Sequence, residues 1–319
     1  MSAHRALAPA KVNLGLFLGP VREADARHEL VSVMQSISLA DELTLGPAAE
    51  DAPGDELICA GVGGPASENL AARALAAFRA RTAWDAPPRR LEVVKRIPVA
   101  AGLGGGSADA AATLRLASAA SGLGDRGLLW ELAEQLGADV PAQVEPGRWL
   151  AAGAGERLQE LPPPGGSLGL LVLPLEAQLS TAAVYAEADR LGIARDAGEL
   201  PELILALQHA LALEETLPGE ERLLVNDLEP AAVSLCPAIA GALEEARLAG
   251  AHTSIVSGSG PTVVGLFPGA RAEGPDLARE AAARLASRVP APLVARPVGA
   301  AFARVVRHNP TEPAKRSST

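Results

Sequence analysis

The chain has 319 residues, of which 48% are hydrophobic, so it is long enough for one large globular domain or two ordinary ones. A net charge of −10, a pI of about 5.1 and only 3% aromatic residues argue against a nucleic-acid partner. Residues 1–5 lack the apolar core of a signal peptide, and no uncharged apolar run reaches about 18 residues. Cys59 and Cys236 have neither metal-ligand nor redox spacing, which favours a reducing compartment. We therefore expect a cytoplasmic protein without a membrane segment.

The first predicted elements along the chain are strands. Residues 6–18 alternate apolar and small side chains, which predicts an opening strand with Lys11 and Asn13 on the same face. Two polar groups on one face of an apolar strand indicate either a strand that lines a functional site or an edge strand with one solvent-exposed face. Further strands are predicted at residues 29–39 and 41–45, and a loop at residues 46–54.

A glycine-rich stretch at residues 98–112, the glycine loop, joins a predicted strand at residues 91–97 to a predicted alanine-rich helix. Glycine backbone can wrap closely around an oxyanion, and a helix N-terminus adds unpaired N–H groups and a positive dipole end. The stretch is not a Walker A loop, which needs a lysine after its last glycine, nor a Rossmann loop, since Ser107 replaces the third glycine. It predicts a phosphate-binding loop of another type, and the alternative is a flexible turn.

The rest of the chain predicts helices and strands in two halves. Asn69 is a predicted cap for a helix that starts at Leu70. The proline- and glycine-rich residues 162–166 predict a linker between an N-terminal domain at residues 1–161 and a C-terminal domain at residues 167–306, followed by a disordered tail at residues 307–319. Other helices are predicted at residues 128–136, 181–191, 201–213, 237–248 and 275–288 and from residue 226, and strands at residues 168–174, 253–256, 261–267 and near 294.

Short motifs follow one another in a characteristic order from residue 8 to about residue 306. They are Ala8-Pro9-Ala10-Lys11-Val12-Asn13-Leu14, His28-Glu29-Leu30, Asp41-Glu42-Leu43, Lys95-Arg96-Ile97-Pro98, residues 102–111, Gly137-Ala138-Asp139-Val140-Pro141, Asn226-Asp227-Leu228-Glu229 and residues 257–262. With these motifs the chain resembles the GHMP kinases, named for galactokinase and for homoserine, mevalonate and phosphomevalonate kinases. The first motif and Gly-Ala-Asp-Val-Pro are typical of the branch that acts on a cytidine diphosphate-linked polyol. The resemblance implies a two-domain α/β (α+β) fold, with an N-terminal domain like domain 2 of ribosomal protein S5 and a ferredoxin-like C-terminal domain.

The same resemblance implies transfer of the ATP γ-phosphate to the tertiary 2-hydroxyl of that polyol, in isoprenoid precursor synthesis. Asp139 would accept the hydroxyl proton. Lys11 would orient Asp139 and the hydroxyl and would offset charge on the transferring group. The alternatives are a solvated carboxylate at a helix end for Asp139 and a surface lysine for Lys11. The apolar strand around Lys11 favours the catalytic interpretation.

ATP and Mg²⁺ are the cofactors that the resemblance implies, with the ion bridging the phosphates. No metal ligand is assigned from the sequence. Asn69 and Lys95 match positions near the nucleotide, although a helix cap and a strand-end lysine are the alternatives. The full set of implied nucleotide-binding residues is Asn69, Lys95, Pro98, Ala101, Gly102, Leu103, Gly104, Gly105, Gly106, Ser107 and Ala108.

The resemblance assigns the cytidylyl substrate to Asn13, Arg27, His28 and Tyr185. His28 matches a histidine that reads the cytosine edge, and Tyr185 falls where a base-stacking aromatic is often found. Arg27 stands where the family usually has a tyrosine that stacks on cytosine, and its guanidinium plane can stack on the base instead. Ala142 also stands where a phenylalanine usually follows Val-Pro. These departures concern recognition of cytidine rather than phosphoryl transfer.

Two other functions stay open from the sequence. A GHMP kinase for another small alcohol, of the homoserine or mevalonate type, would share the glycine loop. A catalytically silent member of the fold would bind a metabolite without turnover, but the presence of Lys11 and Asp139 argues against it. We expect a small-molecule substrate, no nucleic-acid or membrane partner, and a monomer or homodimer.

Overall fold

The computed structural model describes residues 3–212, 216–270 and 272–308. Their backbone forms two sheets with helices packed against them, which confirms the predicted α/β class. The strands are β1 (Ala3–Val21), β2 (His28–Pro47), β3 (Glu56–Cys59), β4 (Arg89–Val94), β5 (Arg148–Gly153), β6 (Arg157–Leu161), β7 (Ser167–Leu173), β8 (Thr253–Val256), β9 (Val263–Gly269), β10 (Leu293–Ala295) and β11 (Val306–His308). The α-helices are α1 (Leu70–Thr82), α2 (Gly105–Ser121), α3 (Arg126–Leu136), α4 (Val140–Val144), α5 (Thr181–Leu191), α6 (Glu199–Leu211), α7 (Glu229–Leu235), α8 (Ala238–Leu248) and α9 (Glu273–Arg284).

The first sheet is built around β2, which pairs with β1 along one edge. Along its other edge β2 pairs first with β5 and then with β4, and the sheet order is β11-β1-β2-β4-β3 with β5 and β6 branching from β2. The prediction of separate strands at residues 29–39 and 41–45 was wrong. Residues 28–47 form one strand of 20 residues, because β5 and then β4 pair with the same edge of β2 and keep its backbone extended.

The helix that follows the glycine loop, α2, packs on one face of the first sheet. Its alanines, among them Ala110 and Ala111, are fully buried in a cluster with Leu43 and Leu45 of β2 and Phe78 of α1. Small side chains allow the helix axis to approach the sheet closely, so the alanine-rich sequence fixes where the N-terminus of α2 lies.

The second sheet has the order β10-β7-β9-β8 and packs against the first sheet. Leu170 and Val172 of β7 share a buried cluster with Val12 and Leu14 of β1, whereas the alternate residue Leu171 faces a cluster beneath α8 and α9. The hydrophobic core is therefore continuous across the predicted linker between β6 and β7.

The C-terminal segment returns to the first sheet. Ser38 donates its N–H to the carbonyl of Arg296, and β11 pairs antiparallel with β1. Arg307 and His308, which the sequence places in a disordered tail, are part of β11 because they supply partners to the outer edge of β1. Residues 309–319 of that predicted tail, and Leu213 of the predicted helix 201–213, lie outside the described residues. In the part of the chain that is described, no helix is long and apolar enough to cross a membrane.

Candidate active site

A cavity of about 1060 Å³ opens between the first sheet, the glycine loop, α5 and the turn at residues 257–260. Pockets for one small ligand usually span about 300–1,000 Å³, so this cavity lies just above the upper end of that range. The predicted site residues that line it are Lys11, Asn13, Arg27, His28, Asn69, Lys95, Pro98, Ala101, Gly102, Leu103, Gly104, Gly105, Gly106, Ser107, Asp139 and Tyr185. Ala108 is instead buried in α2, where its N–H donates to the carbonyl of Gly104. Residues far apart in sequence thus meet around one volume.

Lys11 and Asn13 lie in β1 between two interruptions of the pairing with β2, which allow their side chains to leave the regular pleat. The Lys11 Nζ donates to Asn13 Oδ1 at 2.8 Å and lies 3.5 Å from Asp139 Oδ2. Asn13 Nδ2 in turn donates to the hydroxyl of Ser32 at 2.7 Å. The ammonium is buried, whereas the Asp139 carboxylate is 41% exposed. A fixed cation therefore stands behind an accessible carboxylate.

Asp139 owes its position to the short link between α3 and α4. Gly137 ends α3, and Pro141 in the first turn of α4 fixes the direction of the new helix. Asp139 is the N-cap residue of α4, but within the described chain its side chain accepts no capping hydrogen bond. Its carboxylate is therefore available at the cavity.

The glycine loop needs glycine at two positions where the backbone adopts a positive φ. Gly102 has φ +74°, and a Cβ there would lie 2.4 Å from the carbonyl oxygen of Ser257. Gly104, with φ +68°, is the N-cap of α2, and a Cβ there would lie 2.9 Å from Cγ of Lys11. The N–H groups of residues 105–107 have no acceptor within the helix because they belong to its first turn. These donors line the cavity and form a site for an anion.

A turn at residues 257–260 holds the glycine loop from the other half of the chain. The Ser257 hydroxyl donates to the Gly102 carbonyl at 3.1 Å, and Asn226 Nδ2 donates to the carbonyls of Val256 and Gly258 at 2.8 and 2.7 Å. A Cβ on Gly258 would lie 3.6 Å from Lys11 Nζ, so this turn borders the Lys11–Asp139 ion pair. Sequence reasoning noticed this motif but did not assign it to the site.

The Lys95 side chain is paired inside the protein. Its Nζ donates to Asp109 Oδ2 at 2.7 Å and to the Asp41 carboxylate, which also accepts the backbone N–H of Ile97 at 2.8 Å. Burial raises the pKa of Asp109 to about 7, although the charge of Lys95 opposes that shift. Burial alone would lower the pKa of Lys95, but the two carboxylates raise it above its ordinary value. The cluster ties β2 and the end of β4 to the N-terminal part of α2.

Asn69 lies beside this cluster at the start of α1. Its side-chain oxygen accepts the backbone N–H of Ala71 at 2.9 Å, so it caps the helix as the sequence predicts while it also lines the cavity.

His28 and Tyr185 lie at another end of the cavity, with ring centroids 5.5 Å apart. His28 Nδ1 lies 2.8 Å from the carbonyl oxygen of Gly19, which can only accept, so Nδ1 carries a proton. Its Nε2 lies 3.0 Å from Asp189, whose side chain is largely exposed. Burial raises the pKa of Tyr185 to about 12, with a smaller contribution from the charge of Asp139, so the phenol stays neutral.

Arg27 precedes His28 in the turn between β1 and β2. Its Nη2 donates to the carbonyl of Ala154 at 2.7 Å, so the guanidinium is anchored on the β5–β6 turn. Arg22 strengthens this link, since it pairs with Asp25 of its own turn and with Glu156 at 2.6 Å. Both turns line the cavity, and Arg27, although exposed to solvent, is tied to the cavity rim by this hydrogen bond.

Several cavity residues escaped sequence reasoning although their spacing carried a signal. Leu30, Ser32 and Met34 follow His28 at intervals of two on β2 and hence share its face. Asp189 follows Tyr185 by four residues on α5 and shares a helix face with it.

Two family models match the chain: the N-terminal domain of the GHMP kinases over residues 69–147 and the C-terminal domain of the GHMP kinases over residues 193–291. A Thermobifida fusca protein named 4-diphosphocytidyl-2-C-methyl-D-erythritol kinase is 43% identical over 290 residues, which cover 87% of this chain and 89% of that protein. A Streptomyces coelicolor protein of the same name is 41% identical over 272 residues, which cover 82% and 87% of the two chains.

Solved structures agree with these matches. A crystal structure of 4-(cytidine 5′-diphospho)-2C-methyl-D-erythritol kinase superposes with a TM-score of 0.72 at 34% identity, and the match covers 92% of this chain and 99% of that one. A homoserine kinase from Cytophaga hutchinsonii has a TM-score of 0.69 at 16% identity over 96% and 98% of the two chains, which shows a shared fold alone. The chain is therefore a GHMP kinase, and it belongs to the family of the 4-diphosphocytidyl-2-C-methyl-D-erythritol kinases.

Proposed function

We propose that the chain transfers the γ-phosphoryl group of ATP to the 2-hydroxyl of 4-diphosphocytidyl-2-C-methyl-D-erythritol. The observation that supports this best is that three groups of residues line one cavity. They are the Lys11–Asp139 pair, the first turn of α2, and the rings of His28 and Tyr185. Phosphoryl transfer depends on alignment and charge stabilisation more than on covalent help from the protein. The cavity supplies groups suited to both tasks.

Asp139 accepts the proton of the substrate hydroxyl while that oxygen bonds to the γ-phosphorus and the bond from phosphorus to the β-phosphate oxygen breaks, which releases ADP. Lys11 stabilises negative charge on the transferring group and orients the Asp139 carboxylate. Asn13 and Ser32 keep the lysine directed at the cavity through the hydrogen bonds at 2.8 and 2.7 Å.

The glycine loop binds the ATP phosphates through the N–H groups of residues 105–107. In the described ranges no three His, Cys, Asp or Glu side chains gather around a possible metal position. That suits Mg²⁺, which binds few protein groups and takes other ligands from phosphates and water. The hydroxyl oxygen of Ser107 borders the cavity and is of the type that would hold it, and the ion would neutralise phosphate charge.

We assign Lys95 a supporting role beside the nucleotide. Its ammonium already has two carboxylate partners, Asp41 and Asp109, and it lies behind the first turn of α2. It therefore fixes the loop that binds phosphate, while Asn69 borders the nucleotide from the start of α1.

The cytidine end is assigned to His28, Tyr185 and Arg27. Nδ1 of His28 is held by the Gly19 carbonyl, so we assign the cytosine edge to Nε2, which lies beside the Asp189 carboxylate at 3.0 Å. Tyr185 offers an aromatic face to the base, and the anchored guanidinium of Arg27 offers a planar cation. A small alcohol such as homoserine or mevalonate has no base for these groups to hold.

The test is ADP release with Mg-ATP and the cytidylyl substrate, beside homoserine, mevalonate and galactose. Asp139→Asn should lower kcat at least about 100-fold with little change in ATP affinity, because it removes the proton acceptor and keeps the shape. Asp51→Asn, at an exposed loop position, is the matched control and should leave kcat unchanged. Near-normal turnover of Asp139→Asn would contradict the assignment of Asp139 as the proton acceptor. Turnover with a different alcohol would contradict the assignment of the substrate.

A further inference from the structure

Gln143 is a glutamine whose side-chain amide is buried. It lies in α4 with 2% of its surface exposed, and among the described residues neither Nε2 nor Oε1 has a hydrogen-bond partner. Leaving a buried amide unpaired is unfavourable, and an apolar side chain of similar size would avoid that cost. Its backbone carbonyl accepts from Arg115 Nη1 at 2.6 Å, so the main chain at this position is held.

The amide lies beside the proposed catalytic pair. Gln143 follows Asp139 by four residues, which places both side chains on one face of α4, with the longer one directed back toward Asp139. A narrow recess is lined by Gln143 together with Lys11 and Asp139. The point where a Cβ on Gly104 would lie is 3.5 Å from Gln143 Nε2 and 3.2 Å from Lys11 Cε, so the amide and the lysine chain converge beneath the glycine loop.

The hydrogen-bonding capacities of these groups are complementary. Asp139 is held by one ion pair at 3.5 Å and, as far as the described residues go, by no cap hydrogen bond. Lys11 Nζ has three N–H groups and uses one on Asn13. Gln143 carries an unpaired donor suited to the carboxylate and an unpaired acceptor suited to the ammonium.

We propose that Gln143 is a positioning residue that bridges the pair when the substrates are bound: Nε2 donates to the Asp139 carboxylate, and Oε1 accepts from Lys11 Nζ. This draws the exposed carboxylate toward the lysine and fixes the orientation in which it meets the substrate hydroxyl. The inference rests on the proposed role of Asp139 as proton acceptor. Gln143 itself touches neither substrate.

Gln143→Met tests this, because methionine matches the length of glutamine and lacks the amide. The expected result is about a tenfold fall in kcat, as for a lost hydrogen bond to a charged group, with KM for both substrates unchanged. The melting temperature should stay equal or rise, since an unpaired buried amide has been removed. Gln143→Leu is a second apolar replacement of the amide, to be used if the Gln143→Met variant folds poorly. Gln135→Leu, at an exposed position of α3, is the control for exchanging a glutamine for an apolar residue.

A double-mutant cycle with Asp139→Asn supplies the decisive readout. If Gln143 acts through Asp139, Gln143→Met should have no further effect on kcat in the Asp139→Asn background. A kcat within twofold of wild type in the single variant, a parallel fall in kcat and melting temperature, or additive effects in the double variant would each overturn the inference. Unimpaired turnover of Asp139→Asn alone would instead show that the proposed base is wrong.

Discussion

Replacing Gly102 with alanine tests whether the glycine loop depends on close contact with the other half of the chain. A Cβ at this position would lie 2.4 Å from the Ser257 carbonyl oxygen and 2.8 Å from that of Gly260. Since real Cβ contacts essentially never fall below 3.0 Å, the loop and the turn must separate by at least about 0.6 Å, the difference between 3.0 and 2.4 Å. Alanine also pays about 1 kcal/mol for its positive φ.

Gly122→Ala is the matched control at the other end of α2. Gly122 has φ +71°, nearly that of Gly102, but no atom of the described chain lies within 4 Å of its added Cβ. This variant should lose only about 1 kcal/mol of unfolding free energy and keep its KM for ATP. Gly102→Ala should lose about 2–4 kcal/mol, since overpacking adds about 1–3 kcal/mol. A displaced phosphate-binding loop should also raise its KM for ATP about tenfold or more.

Urea unfolding and steady-state kinetics of the two variants, side by side, measure both effects. The difference between them isolates the contact, because the cost of the positive φ is common to both. Equal stabilities and equal KM values for ATP would refute the reasoning that the approach of residues 257–260 requires glycine at position 102.

Three further predictions concern the buried ion cluster and the turn before β2. Lys95→Met leaves Asp41 and Asp109 buried without their cation, so the unfolding free energy in urea at pH 8 should fall by about 3–5 kcal/mol; a loss below 1 kcal/mol would contradict this. The pKa of Asp109 rises from 3.8 in the unfolded chain to about 7, so the folded state binds this proton more tightly and stability from this group falls as pH rises from 3.8 to about 7. The change in melting temperature caused by Asp109→Asn should therefore be more favourable at pH 8 than at pH 4. An equal change at both pH values would show that the carboxylate is ionised throughout. Arg27→Ala should raise KM for the cytidylyl substrate but not for ATP in kinetic assays, and an unchanged KM for the former would exclude stacking by Arg27.

The opening strand and the glycine loop could be predicted from local patterns. Alternation with a period of two placed Lys11 and Asn13 on one face of the opening strand, and the glycines before an alanine-rich run located the N-terminus of α2. In contrast, β5 and β6 lack clear alternation, and Arg148 in β5 is almost fully buried. No local pattern reveals a strand whose arginine is placed in the core.

The candidate site was only partly accessible to sequence reasoning. Asp139, His28 and Tyr185 were found through motif resemblance, because a lone carboxylate, imidazole or phenol carries no signal of its neighbours. The pairing of Lys95 with Asp41 spans 54 residues and depends on how β2 lies against the end of β4. In the sequence Gln143 looks like an ordinary helix residue, and it is distinguished only by its burial without a side-chain hydrogen bond to any described residue.

The contact between the turn at residues 257–260 and the glycine loop limits which N-terminal and C-terminal halves of such proteins can be combined in one chain. Ser257 and Asn226, both from the C-terminal half, hold the shape of a loop that belongs to the N-terminal half. Under the proposed function, phosphate affinity is a joint property of the two halves rather than of either half alone. A chimera that joins the first half of this chain to the second half of another family member should bind nucleotide only where the incoming half carries a turn of matching shape, so the two halves must evolve as partners.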